Sequence, residues 1–208
     1  LKQLRQVYAG QGIEWNKITT GQILRQQLRP FLMADAKIRN YSHHLSHAAA
    51  GFQTSPYDRA TVVVIDAIGE LDTVSIWGAE YVNGQAKYKK LWGQRYPHSI
   101  GLFYSAMTQR VGLKPMEEEY ILMGMSAYGR SEFTAELTDL MMQDTEEILF
   151  KKNLHTGVDD YLKGIHIMNL AKAAQELTEQ LIGSVMDRAR SFGWSKNLVY
   201  SGGVALNC

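Results

Sequence analysis

The sequence predicts an α/β fold: a mixed sheet that contains an antiparallel hairpin and is flanked by helices. Residues 60–70 open with the β-branched run of a buried strand and end in a carboxylate and a glycine turn. Two further strand patterns, 73–81 and 86–92, flank Asn83-Gly84, a pair that tolerates positive φ and so favours a tight turn. Three consecutive antiparallel strands follow from this pattern.

Helical periodicity dominates the rest of the chain. The clearest case is 166–192, where apolar residues mark one face and Gly193 follows as a stop. A strand over 197–200 comes next, so this helix is expected to cross over to another strand of the sheet. The pattern also predicts five further helices and one short strand. The helix over 22–32 is weak and is closed by Pro30, and the helix over 43–52 runs from the histidine segment toward Phe52. The other helices are 101–111, 116–128 and 133–142, and the strand is 147–151.

Composition narrows the class of protein. The chain has 208 residues, 45% of them hydrophobic, and a net charge of +1, which is typical of a globular protein and argues against a broad nucleic-acid surface. No apolar run approaches the roughly 20 residues of a membrane span, and no signal peptide is present. A single cysteine, Cys208, cannot form an internal disulfide. We therefore expect a cytoplasmic protein without membrane or nucleic-acid partners.

Both ends of the chain indicate a fragment. It begins at Leu1 without a methionine, and it stops at Cys208 directly after a strand and a glycine turn that ought to open a helix. A natural domain rarely ends at such a point. We expect a longer protein around residues 1–208.

Three of the six histidines lie within five positions, at His43, His44 and His47. In a helix, His43 and His47 are one turn apart and project from the same face, within reach of one metal ion. His44 lies about 100° around the helix and is expected to play a supporting or structural part. Histidines also cap helices and fill polar pockets, so the segment alone leaves both interpretations open.

Asp66 strengthens the metal interpretation. Open α/β sheets bind ligands at the carboxyl ends of their strands, and Asp66 follows the predicted strand at such an end. A turn residue or a helix cap is the alternative interpretation of Asp66, and the less favoured one. With His43 and His47 it makes a set of two histidines and one carboxylate, which suits iron, manganese or zinc.

Two glycine turns follow predicted strands, at Gly69-Glu70 and at Ser201-Gly202-Gly203. Exposed backbone N–H groups in such turns can bind phosphate, although each turn alone is more often structural. Two of them at strand ends, one beside a metal site, favour a nucleotide cleft.

These segments resemble the carbamoyltransferase family of nodulation-factor and antibiotic O-carbamoylation enzymes, in content and in order, from about residue 40 to the end. The matching motifs are HHLSHAA (43–49), DAIGE (66–70), SIGLFY (99–104), GLKPME (112–117), LMGMSAYG (122–129) and SGGVALN (201–207).

The resemblance implies an actin-like ATPase fold, the fold of sugar kinases and heat-shock ATPases, related to the enzymes that make threonylcarbamoyladenosine in tRNA. It implies a divalent metal (iron, manganese or zinc) on His43, His47 and Asp66. The reaction implied uses carbamoyl phosphate and ATP to form carbamoyl adenylate, and passes the carbamoyl group to a small-molecule hydroxyl acceptor. The nucleotide residues implied are Gly69 and Glu70 on the phosphate side, and Ser201, Gly202, Gly203 and Asn207 at the adenosine end.

The chain also departs from the family pattern. The family's first strand should precede Leu1, while a further aspartate ligand and the adenylate-forming domain should follow Cys208. We therefore expect a partial domain that does not turn over alone, and the sequence assigns no catalytic residue. Lys114 and the acidic run Glu117–Glu119 stay outside the predicted site, because a solvated helix start is the favoured account of them. Ser99 and Tyr104 also stay outside it, because the sequence leaves open whether they face the cleft or pack.

Three other interpretations come from different classes. A tRNA threonylcarbamoyl transferase shares the metal pattern but lacks the segments around 114–117 and 122–129. The H-E-x-x-H motif of metalloproteases places a glutamate directly after the first ligand histidine, whereas this chain has His44 at that position. The third alternative is a non-catalytic nucleotide-binding fragment. Nucleotide binding that does not depend on a metal would favour this alternative.

Overall fold

The computed structural model describes residues 27–33, 35–37, 39–145, 147–158 and 161–207, in two compact units, Leu1–Tyr41 and Ser42–Cys208. The described part of the first unit contains a short 3₁₀ helix, Arg29–Phe31, with Pro30 in its first turn. Of the helix predicted over 22–32, residues 22–26 lie outside the described residues. The second unit carries the sheet and the longer helices.

A four-stranded mixed sheet, in the order β3-β2-β1-β4, forms the centre of the second unit. β1 pairs antiparallel with β2 and parallel with β4, and β2 pairs antiparallel with β3. Asn83 (φ 52°) and Gly84 (φ 72°) form the predicted turn of the β2–β3 hairpin. The predicted α/β class and mixed sheet are confirmed. The strands are β1 (Arg59–Gly69), β2 (Asp72–Val82), β3 (Gln85–Arg95) and β4 (Leu198–Ser201).

Five α-helices surround the sheet in the described part of this unit. The side chains of Ser42, Ser99 and His166 accept backbone N–H groups at the starts of α1, α2 and α5. The helices are α1 (His43–Thr54), α2 (Ile100–Arg110), α3 (Glu119–Ser126), α4 (Thr134–Met141) and α5 (Ile167–Ser191). As predicted, α5 leads across to β4.

Two predicted elements are wrong in detail. α3 begins at Glu119 rather than Met116, because Met116 adopts a left-handed φ of 68° that no α-helix accommodates. Residues 147–151 form no strand, only an isolated bridge between Met142 and Phe150. A single bridge gives too few backbone hydrogen bonds to extend into a ladder.

The two faces of β1 pack against different helices, because successive side chains of a strand alternate in direction. Val62 and Val64 join Phe52 of α1 in one apolar cluster. Val63 and Ile65 join the larger cluster that includes α2 and α5. A strand buried on both faces explains the unbroken β-branched run in the sequence.

Asp66 lies within β1 rather than at its end. The strand continues to Gly69, but Cα pairing with β2 lapses between Ile65 and Gly69, and pairing with β4 ends at Val64. Such irregular segments redirect side chains out of the regular alternation. Asp66 therefore lies where β1 has separated from β4, its parallel neighbour. Its side chain is exposed to a cleft at this point, as predicted.

The length and the apolar character of the described helices bear on whether any of them suits a membrane span. α5, the longest, has 25 residues and carries Arg188 and Arg190 in its last turn. Among the described residues, no helix combines the length and apolar character that crossing a membrane requires.

We expect Phe103→Ala to lower the free energy of unfolding by about 3–5 kcal/mol. Phe103 is fully buried and stacks on Phe150 with ring centroids 5.7 Å apart, so its removal leaves a cavity in the larger apolar cluster. Phe192→Ala is the control, because Phe192 is 41% exposed. Urea denaturation measures both, and equal losses would contradict the assignment of this core.

Candidate functional site

The packing of α1 decides which histidines face outward. His44, Ala48 and Phe52, spaced four residues apart, form the buried stripe of the helix. His43 and His47 therefore lie together on the adjoining stripe, at the edge of the helix nearest Asp66. The side-chain oxygen of Ser42 accepts the Leu45 N–H (3.3 Å) and sets the start of the helix.

Three potential ligand atoms converge between α1 and β1. His43 Nε2 lies 2.7 Å and His47 Nε2 lies 3.1 Å from Oδ2 of Asp66, and the two nitrogens are 3.1 Å apart. The side chains of His43, His47 and Asp66 are 44%, 33% and 17% exposed, so the group is open on the histidine side. This arrangement can hold one metal ion.

Asp66 is held as an anion. Burial by itself would raise the pKa of its carboxyl group, but hydrogen bonds from His43 and from the Ala67 N–H outweigh burial, and the pKa lies below its usual range. The Ala67 N–H donates to Oδ1 at 2.8 Å, which leaves Oδ2 for the histidines. Ser99, at the start of α2, donates to Ala67 O at 2.6 Å and fixes this backbone.

His44 is directed into the protein. Its Nδ1 lies 2.7 Å from Ser75 Oγ, which also accepts the Trp77 indole N–H at 2.7 Å. Burial lowers the pKa of His44, so the ring is neutral. Its Nε2 is buried and makes no hydrogen bond to any described residue. His44 thus connects α1 to β2 and does not converge with the ligand atoms of His43 and His47.

The β1–β2 turn passes directly over the histidine rings. A Cβ at Gly69 would lie 2.3 Å from Cδ2 of His44 and 2.7 Å from Cδ2 of His43, so only glycine fits without displacement of a ring. Glu70 follows with a left-handed φ of 62° and an exposed side chain. Gly69, one of the two predicted phosphate-side residues, thus lies against His43, one of the three converging side chains.

The end of β4 reaches the same place from the other side. Ser201 Oγ donates to the His47 carbonyl at 3.1 Å, and Gly202 turns the chain with a φ of 98°. Gly203 opens a 3₁₀ helix, Gly203–Leu206, so close to Asp66 that a Cβ there would lie 2.9 Å from Oδ1. The structure thus brings the Gly69 turn to the histidines and the Gly203 turn to Asp66.

A cavity of about 360 Å³ adjoins this group and includes Asp66 in its wall. α2, α3, the turn before α3, α5 and the segment after β4 contribute the other walls. The lining residues are Asp66, Ala67, Gly101, Tyr104, Ser105, Met116, Glu117, Glu119, Tyr120, Met123, Thr178, Gly203, Val204, Leu206 and Asn207. Gly203 and Asn207 are predicted nucleotide residues, whereas Ser201, Gly202, Gly69 and Glu70 are not in the wall.

Gln175 is a site residue that the sequence did not reveal. Its side chain, 4% exposed, exchanges two hydrogen bonds with the amide of Asn207, of 2.8 and 3.1 Å. Tyr104 also donates to Gln175 Oε1 at 2.7 Å. This network fixes Asn207 against α5. Nothing in the local pattern sets Gln175 apart, because its partner lies 32 residues away.

Comparison with known proteins gives one family for this chain. The family model described as "Carbamoyltransferase N-terminus" matches residues 11–208. An uncharacterised Synechocystis protein, sll1178, is 30% identical over 191 residues. Nodulation protein NolNO of Sinorhizobium fredii is 26% identical over 184 residues, and nodulation protein NolO of Bradyrhizobium diazoefficiens is 24% identical over 178 residues.

These alignments cover most of this chain and a minor part of each relative. They span 80%, 83% and 80% of this chain for sll1178, NolNO and NolO, respectively. The corresponding shares of the relatives are 30%, 26% and 32%. The chain therefore spans about a third or less of the length of these relatives.

We expect Gly69→Ala to lower the free energy of unfolding by about 1–3 kcal/mol, because the added methyl group overlaps the rings of His43 and His44. Gly183→Ala is the matched control: Gly183 lies on the exposed side of α5 with open space around it. That change should raise the free energy of unfolding by about 0.5–1 kcal/mol. Urea denaturation of both variants tests the close approach, and a neutral Gly69→Ala would refute it.

Proposed function

The chain belongs to the carbamoyltransferase N-terminal family, and we propose that it takes part in the transfer of a carbamoyl group from carbamoyl adenylate to a hydroxyl acceptor. Carbamoyl phosphate, ATP and water supply the adenylate, with phosphate and pyrophosphate as the other products. The observation that carries the proposal is the convergence of His43, His47 and Asp66 beside a cavity that shares Asp66. A metal-ligand group and a space for an organic ligand are thereby adjacent.

The proposed metal is a divalent ion of iron, manganese or zinc. Bonds of about 2.0–2.2 Å from one ion separate neighbouring ligand atoms by roughly 2.8–3.6 Å over the range of octahedral to tetrahedral angles. The three separations among His43 Nε2, His47 Nε2 and Asp66 Oδ2 are 2.7, 3.1 and 3.1 Å. Two imidazoles and an ionised carboxylate are also the donor set that these ions favour.

Bound there, the metal would supply Lewis-acid stabilisation of negative charge on the carbamoyl carbonyl or the phosphate. The protein residues have separate parts. Asp66 contributes a full negative charge, while Ser99 and the Ala67 N–H keep its Oδ2 directed at the histidines. Ser201 holds the backbone of His47, so α1 cannot move independently of the end of β4.

In the transfer, the acceptor oxygen forms a bond to the carbamoyl carbon, and the bond from that carbon to the phosphate oxygen of the adenylate breaks. AMP is the leaving group, and the hydroxyl proton of the acceptor is released to the solvent. We propose that Gly69 and Glu70 lie on the phosphate side of the nucleotide. Ser201, Gly202, Gly203 and Asn207 take the adenosine end, with Asn207 oriented by Gln175.

An actin-like ATPase fold is part of the same proposal. Three antiparallel strands followed by a helical crossover to a parallel fourth strand, in the order β3-β2-β1-β4, support it. So does the approach of two glycine turns, after β1 and after β4, to the group of His43, His47 and Asp66. An adenylate-forming domain of the same full-length protein is the proposed source of the adenylate.

We expect His43→Ala and Asp66→Ala to weaken metal binding by at least about 100-fold, more than the loss of an outer-shell partner costs. Elemental analysis of the purified full-length natural protein measures metal content per chain. His155→Ala is the control, because His155 is exposed and is not one of the three converging ligands. Unchanged metal content in both site variants would overturn the assignment.

We expect the full-length natural protein, given ATP, radiolabelled carbamoyl phosphate and a panel of monosaccharides, to form a labelled carbamate and AMP in equal amounts. His47→Ala should lower this rate by about 100-fold or more, because several kcal/mol of charge stabilisation is lost. His155→Ala again serves as the control. Formation of ADP in place of AMP, or full activity in His47→Ala, would contradict the mechanism.

A further inference from the structure

β3 forms an open edge of the sheet, because it pairs with β2 alone in the described part of the chain. Residues 85–90 of β3 pair with 77–82 of β2 in six consecutive steps, and the register shifts only beyond Lys90. The outward N–H and C=O groups of such an edge can pair with another chain, and many proteins keep edge strands short or interrupt them with a bulge. The regular half of this 11-residue strand has neither device. It is therefore able to accept a further strand.

The basic side chains of β3 differ in whether the protein neutralises them. Lys90 forms an ion pair with Asp72 of 2.5 Å, and Arg95 approaches the same carboxylate at 3.7 Å. Lys87, by contrast, donates to a neutral amide oxygen at 3.1 Å. Lys89 forms no ion pair or hydrogen bond with any described residue. The regular half of the edge thus carries two exposed positive charges, at Lys87 and Lys89, without a carboxylate partner in the described chain.

Lys87 and Lys89 project from the same face of the sheet, the one that packs against α5. Their Cα partners on β2 are Glu80 and Gly78, and paired residues of neighbouring strands share a face. Ile76, two residues before Gly78, joins the apolar cluster that includes α5, which identifies the face. In a strand added beside β3, residues two apart would project on this face next to the two lysines. The edge therefore presents two positive charges in a row to an incoming strand.

The carboxylate on this part of the face, Glu80, is engaged from its other side. Arg59 of β1 is its second Cα partner, and Nε of Arg59 lies 3.7 Å from Oε2 of Glu80. The guanidinium of Arg59 also lies over the Trp194 ring, 4.7 Å from its centroid, which holds the arginine in place. Arg59, Lys87 and Lys89 together outnumber the one carboxylate, so this end of the face is positively charged. It complements an acidic chain.

We propose that β3 accepts an acidic, extended segment of another protein as an additional strand, in which alternate residues are Asp or Glu. The carboxylates lie beside Lys87 and Lys89, and main-chain hydrogen bonds to β3 supply the rest of the affinity. On the other face the added strand lies beside Tyr88, which packs against the cluster of α1, so its intervening residues are β-branched. A second copy of this chain does not suit the edge, because pairing two β3 strands would bring their lysines together.

This surface lies at the opposite end of the sheet from the candidate site. Lys87 is level with Arg59, the first residue of β1, across the sheet. Asp66 lies seven residues further along β1, which corresponds to roughly 23 Å of extended chain. An added strand therefore leaves the histidines and the cavity open, and the inference does not depend on the proposed function.

The test is titration of a fluorescent peptide, TVEVEVT, with the full-length natural protein, followed by anisotropy; saturable binding is expected. Lys87→Gln with Lys89→Gln should weaken it by about 2- to 30-fold, because two exposed ion pairs are lost. Lys87→Glu with Lys89→Glu should weaken it by at least about 30-fold, because repulsion replaces attraction. The matched control is Lys151→Glu with Lys152→Glu, which makes the same charge change at two exposed lysines outside β3 and should leave binding unchanged.

Two altered peptides separate strand pairing from the attraction of charge alone. TVKVKVT keeps the alternation but reverses the charge, and it should not bind. A copy of TVEVEVT with its central backbone nitrogens methylated keeps both carboxylates but cannot donate main-chain hydrogen bonds to β3. Its affinity should be lower by about 10-fold or more.

The inference is overturned if TVEVEVT shows no saturable binding, if the methylated copy binds equally well, or if the Lys87→Glu, Lys89→Glu protein binds as the natural one does. Tighter binding of a single-stranded oligouridylate than of TVEVEVT would also overturn it, because the same charges would then serve a nucleic acid. Carbamoyl transfer by the Lys87→Glu, Lys89→Glu protein should be unchanged. Failure of the peptide to bind therefore leaves the proposed function intact, and failure of the transfer assay leaves this surface intact.

Discussion

The carboxylate of Asp66 connects the two parts of the candidate site. Oδ2 meets both histidines of α1, while Oδ1 is held by the Ala67 N–H and lies beside Gly203. The irregular end of β1 turns this side chain out of the sheet, and Ser99 fixes the backbone behind it. α1, the segment after β4 and the wall of the cavity all contact this one carboxylate. A shift of Asp66 would therefore disturb the ligand group and the cavity together.

Neighbouring residues of one type take different parts because local geometry sends their side chains in different directions. His43 and His47 face Asp66, whereas His44, one position along, is buried against Ser75 as a neutral ring. Glu117 and Glu119 both line the cavity, but Glu119 accepts from Ser105 and Met116, while Glu117 pairs with the surface Lys114. In the first case the 100° step of a helix makes the separation, and in the second α3 begins at Glu119 and leaves Glu117 in the turn before it.

The charge distribution is consistent with the proposed reaction. A metal on His43, His47 and Asp66 would place positive charge at the end where a phosphate or carbamoyl group must lie. The cavity beyond Asp66 carries carboxylates and apolar surface, which suits a hydroxylated ring. The ligand of the proposed reaction, carbamoyl adenylate, likewise has an anionic part and a neutral, hydroxyl-bearing part.

The sequence by itself determined the features that depend on local pattern: the buried run of β1, the Asn83-Gly84 turn, the long helix before β4 and the spacing of His43 and His47. These follow from side-chain periodicity and turn chemistry within a few residues. Only the tertiary structure decided that Gln175 orients Asn207, that Glu119 faces the cavity, and that 147–151 forms a bridge and not a strand. Each depends on partners far apart in the chain or on a turn conformation that helical periodicity conceals, because packing, and not local propensity, sets those contacts.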